Sequence, residues 1–132
     1  MKLGEKGRRV APSVLEEWAQ VVSIEVQSWP GVISATHWFL HDPSQVDGAD
    51  FYVGDAELGH IHLDGELHLG LTQPLRRTLI EAKLAEPFRW ARDWVQFSIT
   101  DLPSAQHAIW LFRLGYDRLH GITRRISGSP PR

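Results

Sequence analysis

The chain has 132 residues and no cysteine, so it is long enough to bury roughly two thirds of its unfolded surface in one core, and disulfides, thiolate nucleophiles and cysteine metal sites are excluded. No apolar run approaches the roughly 20 residues a membrane helix needs, and Met1 to Arg9 shows no apolar leader segment behind its basic start, so the chain reads as a soluble, cytoplasmic single domain with no membrane partner. The formal charge is −2, yet Lys2, Lys6, Arg8 and Arg9 against Glu5 at one end, and Arg124, Arg125 and Arg132 at the other, make each end +3 and the interior −8, a balance that opposes nucleic-acid binding.

The ends frame the domain. Residues 1–10 read as a flexible basic N-terminus and residues 121–132, which include Ser127, Gly128, Ser129, Pro130 and Pro131, as a disordered tail; the folded unit is expected at 11–120. Ser13 followed by Glu16 has the spacing of a capping box and predicts a helix near 13–28, with Val14, Leu15, Trp18, Val21, Val22, Val26 and Trp29 on its apolar stripe and Pro30-Gly31 closing it. Val32 to His41 is rich in β-branched and aromatic residues, Asp42-Pro43 is expected to break that strand, and Asp50–Gly54 and Glu57–Leu63 follow as short strands joined by Asp55-Ala56. Thr72 is expected to cap a helix near 73–84, with Pro74 in its first turn and Leu75, Leu79, Ile80 and Leu84 facing inward. Trp94 to Ile99 alternates as a last strand. Thr100 or Asp101 then opens a helix near 101–120 that buries Ala108, Ile109, Leu111, Phe112 and Tyr116 and ends at Gly121. This order argues an α+β domain: an antiparallel sheet of four to five strands with about three helices packed mainly on one face.

The densest polar cluster is Gly59-His60-Ile61-His62, followed by a Leu63-Asp64-Gly65-Glu66 turn and then His68. Asp-Gly between apolar-alternating runs is a hairpin signal. A two-residue loop would pair His62 with Leu67 and Ile61 with His68, mixing polar and apolar residues on both faces. A three-residue loop, Leu63 to Gly65 or Asp64 to Glu66, puts Ile61, Leu67 and Leu69 on one face and His60, His62, His68 and Glu66 on the other. Three imidazoles on one face can reach a single divalent metal while leaving a position open for water, so His60, His62 and His68 are candidate metal ligands and candidate catalytic groups; as general acid/base residues they would need no metal. The other reading is that they are half-exposed strand residues with structural roles.

Six tryptophans invite a second candidate surface. Trp18, Trp29 and Trp110 fall on or near the core stripes of helices. With Val95, Phe97 and Ile99 turned to the core, Trp94 faces the other way, beside Trp90, Arg89 and Arg92; Trp90, Arg92, Trp94 and Glu66 are therefore candidate ligand-binding residues.

From Phe51 to Arg118 the chain resembles the small bacterial and fungal luciferase domain, a family of unknown function. The resemblance rests on Glu57-Leu-Gly-His60-Ile-His62, Leu67-His-Leu69, Leu75-Arg76 with Leu79-Ile80, Ala85-Glu86, Trp94-Val95 and Ala108-Ile-Trp110-Leu-Phe-Arg-Leu114-Gly-Tyr116-Asp-Arg118. It implies a shared fold. Where relatives tend to carry a histidine after the Ala-Glu pair, this chain has Pro87-Phe88, and Asp93 stands where they tend to have glycine. Gly54, His60, His62 and Glu66 also have the spacing of a first cupin metal motif, but Gln73 replaces an expected glycine, no second motif follows, and three helices leave too few strands for a jelly roll.

Two functions follow: a module that binds a small ligand or a protein partner through the sheet face and the Trp90–Trp94 segment, compatible with a homo-oligomer, or a small hydrolase or metal-dependent enzyme centred on His60, His62 and His68. No Ser-His-Asp order, phosphate loop or dinucleotide fingerprint is present.

Overall fold

The computed structural model describes residues 10–121; apart from Val10 and Gly121, the two predicted tails lie outside the described residues. The element order is α1 (Glu17–Gln27), β1 (Val32–Phe39), β2 (Asp42–Val53), β3 (Ala56–His62), β4 (Glu66–Gly70), α2 (Gln73–Glu81), β5 (Glu86–Pro87), β6 (Trp94–Ser98) and α3 (Leu102–Leu119). The strands form one antiparallel sheet in the order β1-β2-β3-β4-β6-β5. The class is the α+β architecture expected, with six strands rather than four or five. The addition is the two-residue β5, whose Glu86 and Pro87 pair with Gln96 and Val95 at the sheet edge; a proline is tolerated there because an edge strand need not donate every backbone N–H.

Alternation builds the core. Phe51, Ile61, Leu67, Leu69 and Val95, all fully buried, share one face, and α3 lies across it with the Phe112 ring 5.4 Å from that of Phe51. Gly59 sits beneath this contact: a β-carbon there would come within 2.5 Å of the His68 carbonyl oxygen and 3.2 Å of the Phe112 ring. Helix α1 buries Ala19, Val22 and Val26 on the same core. Its C-terminal end is tied to α3 by Trp29 packing edge-on against Tyr116, whose hydroxyl donates to the Pro30 carbonyl.

Several helix and strand ends differ from expectation. Ser13 does not cap α1; its hydroxyl donates to the Gly48 carbonyl, Glu16 occupies the N-cap position without a side-chain cap bond, and the helix starts at Glu17. Thr72 likewise stands at the α2 N-cap without a side-chain bond. The capping box lies instead at α3, where Asp101 accepts from the Ser104 N–H and Ser104 Oγ from the Asp101 N–H, both at 2.9 Å. The first strand does end before Asp42-Pro43, at Phe39, but that pair opens β2, which runs to Val53 as the longest strand.

Of the three register shifts in the sheet among the described residues, two set the position of acids on the polar face. Between β1 and β2, His37 pairs with Gly48 and Trp38 with Val46, so Asp47 is an extra residue. Between β2 and β3, Phe51 pairs with Gly59 and Tyr52 with Glu57, so Leu58 is extra. A bulge shifts the phase of the side chains beyond it. Gly48 makes the first one feasible: its φ is +156°, and a β-carbon would lie 2.0 Å from the Ile61 carbonyl oxygen. Gly48→Ala is therefore expected to lower stability by about 3 kcal/mol or more, combining backbone strain and overpacking. Gly31→Ala, at φ +82° with nothing within 4 Å, should cost only about 1 kcal/mol. Urea unfolding of both variants, with unchanged slopes, measures the difference.

Candidate metal centre

The face of the sheet away from α1 and α3 carries the site. The β3–β4 register pairs His60 with His68 and Ile61 with Leu67, so the loop is the three-residue Leu63–Gly65. Gly65 has φ +93°, its N–H donates to the His62 carbonyl at 2.9 Å, and the Asp64 carboxylate accepts from the Glu66 N–H at 3.0 Å. His60, His62, Glu66 and His68 consequently project from one face, opposite Ile61, Leu67 and Leu69. His37, which pairs with Gly48, joins them from β1, and Trp94 arrives from β6 with its indole lying across Gly70 and 5.7 Å from the His60 ring. Phe88, just after β5, covers His68 with its ring 4.1 Å away.

The hairpin histidines converge. His60 Nε2 and His62 Nε2 lie 3.0 and 3.1 Å from His68 Nδ1. Their rings stand nearly perpendicular to one another, at 88° for His60 and His68, 79° for His60 and His62, and 70° for His62 and His68. Two ligands about 2.0–2.1 Å from one ion, subtending a right or tetrahedral angle, are separated by about 2.9–3.4 Å. The two separations to His68 Nδ1 fall within this range, and the three rings are mutually tilted.

Each imidazole also has its own carboxylate. His60 Nδ1 faces Glu57 Oε2 at 3.1 Å, His62 Nδ1 faces Asp47 Oδ2 at 2.9 Å, and His37 Nδ1 faces Asp50 Oδ1 at 2.7 Å. On His60 and His62 a carboxylate at Nδ1 holds the proton there and leaves Nε2 with its lone pair, the tautomer that ligation through Nε2 requires, whereas His37, with a carboxylate beside each nitrogen, attracts both only when it carries two protons. His68 is reversed: Nδ1 points at the cluster and Nε2 toward Glu66 Oε2 at 3.5 Å, and this buried Nε2 has no hydrogen-bond partner among the described residues. Asp50 is additionally fixed by Tyr52, whose hydroxyl donates to its Oδ2 at 3.3 Å. Burial, then the charges of Asp50 and Glu57, raise the Tyr52 phenol above its ordinary range, so it remains a donor.

Of the residues singled out from sequence, His60, His62, His68, Glu66 and Trp94 meet at this cluster. Trp90 and Arg92 are exposed on the 88–93 turn, where the Arg89 guanidinium lies over the Trp90 ring at 5.2 Å. His37, Asp47, Asp50, Glu57 and Tyr52 were not anticipated. Alternation would have placed Glu57 and Asp47 on the core side, and only the two bulges turn them to the histidines.

Burial first, then the neighbouring His60, His62 and His37, push the His68 imidazole down from 6.5 to about 3. The unfolded chain thus takes up a proton near pH 6.5 that the folded one refuses, so the stability held by neutral His68 is complete above that pH and is lost as pH falls from there toward 3. For metal-free protein, the urea midpoint should decline between pH 7 and pH 4, with a shallower decline in His68→Gln; an equal decline in both would show that His68 is not the group responsible.

No curated protein and no solved structure matches the chain. No described helix is long and apolar enough to cross a membrane. Residues 55–115, just under half of the chain, match the family model described as Luciferase domain, a stretch that holds Glu57, His60, His62, Glu66, His68 and Trp94, and over which the chain resembles that family.

Proposed function

We propose that this chain is a metal-dependent small-molecule domain in which His60, His62 and His68 hold one divalent transition-metal ion on the open face of the sheet. The observation that carries the reading is the convergence of three mutually tilted imidazoles at nitrogen separations of 3.0 and 3.1 Å. Paired carboxylates behind His60 and His62 support it, because orienting partners of this kind recur at metal-ligating histidines. The donor set is all imidazole, which suits zinc, copper, nickel and iron rather than magnesium or calcium. The unpartnered Nε2 of His68 supports it as well: an ion on Nδ1 would leave the proton on Nε2, facing Glu66.

Three protein ligands leave a coordination position for water or a substrate atom. Such an ion would supply Lewis-acid polarisation and lower the pKa of a bound water to about 7, which makes hydrolysis of a small polar substrate the reaction class of this reading. Trp94 and Phe88 flank the cluster and give a ligand apolar walls. A second reading, a binding module without metal, is favoured by Trp90, which is 78% exposed beneath the Arg89 guanidinium, an arrangement suited to an anionic or planar partner.

Elemental analysis and competition with a chromophoric chelator distinguish them. The chain should take up one zinc or cobalt ion, and an ion at 100 times its dissociation constant should add about 2.7 kcal/mol to stability. The double variant H60A/H62A should lose uptake while its metal-free unfolding changes little. Uptake that persists in the double variant would rule out this site, and no uptake by the unsubstituted chain would leave the Trp90 surface as the functional one.

A further inference from the structure

We propose that His37 is a positioning residue of this centre: it bridges Asp50 and Asp47, and through Asp47 fixes the ring of His62, without ligating the ion. The inference rests on the metal reading above. Distance alone would count His37 as a ligand, since His37, His60 and His62 each offer a nitrogen within 4.8 Å of the others. The ring planes decide otherwise. His37 is stacked on His60 with centroids 4.2 Å apart and planes only 9° from parallel. An imidazole donates its lone pair in its own plane, and two parallel planes one ring thickness apart cannot both contain an ion about 2.0–2.1 Å from each nitrogen. His60 is already committed by its near-perpendicular setting to His62 and His68, so His37 is the ring left out.

What His37 does touch is the layer behind the ligands. Its Nδ1 is 2.7 Å from Asp50 Oδ1 and its Nε2 3.6 Å from Asp47 Oδ2, and the same Asp47 oxygen is 2.9 Å from His62 Nδ1. The sheet explains the alignment. His37, Gly48 and His62 pair across β1, β2 and β3; the glycine leaves a gap between the two rings, whose centroids are 5.2 Å apart at 86°, and the bulged Asp47 places its carboxylate against both. At the other end Tyr52 holds the buried Asp50. Asp47 is the more exposed of the two acids, with a quarter of its side chain open to solvent, and without His37 it would lose its second anchor. The ring of His62 would then be free to turn away from the ion.

Cobalt(II) titration separates the roles, using H37F, which keeps a stacking ring but no polar atoms, together with D47N, the double variant H37F/D47N, and H60A as a ligand-loss control. H37F should weaken cobalt binding by about 10- to 100-fold, the usual effect of losing an orienting partner, at unchanged stoichiometry and with the visible ligand-field bands in place. D47N should do the same, and the double variant should lose no more than the worse single one, because both break one line of contacts. Bands shifted and binding lost as in H60A would make His37 a ligand and overturn the proposal; so would full affinity in H37F, or losses that add in the double variant. Absence of cobalt uptake by the unsubstituted chain would overturn the metal reading itself, and this one with it. Should circular dichroism show H37F to be misfolded, H37Q carries the same comparison.

Discussion

The polar face of this protein depends on two extra residues in its central strands. In an unbroken sheet the period of two would put Asp47 with Ala49 and Phe51, and Glu57 with Gly59 and Ile61, all toward the helices. A carboxylate buried among those side chains, with no partner, would cost several kcal/mol or shift its pKa. The bulges at Asp47 and Leu58 reverse the phase. They give Leu58 to the core, where it is fully buried, and turn the two acids to the histidines. One local change in backbone count therefore serves packing on one face and electrostatics on the other, and Gly48 is the residue on which the first reversal hinges.

Four histidines and four carboxylates on one face form a linked network in which Asp47 faces both His37 and His62, and Asp50 both His37 and His60. His37 with Asp50, His60 with Glu57 and His62 with Asp47 each lie within 3.1 Å, while His68 stands 3.5 Å from Glu66. His68 is the deepest of the rings and the one held neutral by its surroundings. A buried network of this kind is stable only where its members are satisfied, and the open Nε2 of His68 is the place where satisfaction is incomplete. In a native protein an unsatisfied buried group calls for an explanation, whether strain, function or an ordered water or ion. Here the unsatisfied atom belongs to the ring that points its other nitrogen at His60 and His62, so it lies within the candidate ligand set.

The hairpin was legible because hydrophobicity over-determines its register: only an odd loop keeps Ile61, Leu67 and Leu69 together, and that same loop gathers His60, His62 and His68. Trp94 was legible for the same reason, through Val95 and Phe97. The third helix was legible from its cap, Asp101. His37 was not, because nothing in the run Val32 to His41 says which strand will lie next to it, and Asp42-Pro43 read as a break although β2 begins there. Glu57 and Asp47 were missed for a sharper reason. Bulges leave no mark on apolar periodicity beyond a glycine, and Gly48 next to Asp47 was the available signal. The Ser13 box failed because a hydroxyl close to Gly48 found a sheet carbonyl to bond, a tertiary competitor that local spacing does not register.

The stretch that matches the luciferase domain begins at Asp55, between the two halves of the site. Within it lie the three converging imidazoles, the carboxylates behind His60 and His68, and the Trp94 wall; before it lie His37, Asp47, Asp50 and Tyr52. The division follows the roles read from geometry. The groups whose nitrogens converge, and which in the proposed reading would determine whether an ion binds at all, come from the hairpin. The groups that contact His62 and stack on the His60 ring come from β1 and β2, reach the centre only through the sheet register, and would act on how firmly an ion is held. A change in β1 or β2 can therefore tune the site without dismantling it, whereas a slip of one residue in the hairpin would send all three imidazoles to the core side at once.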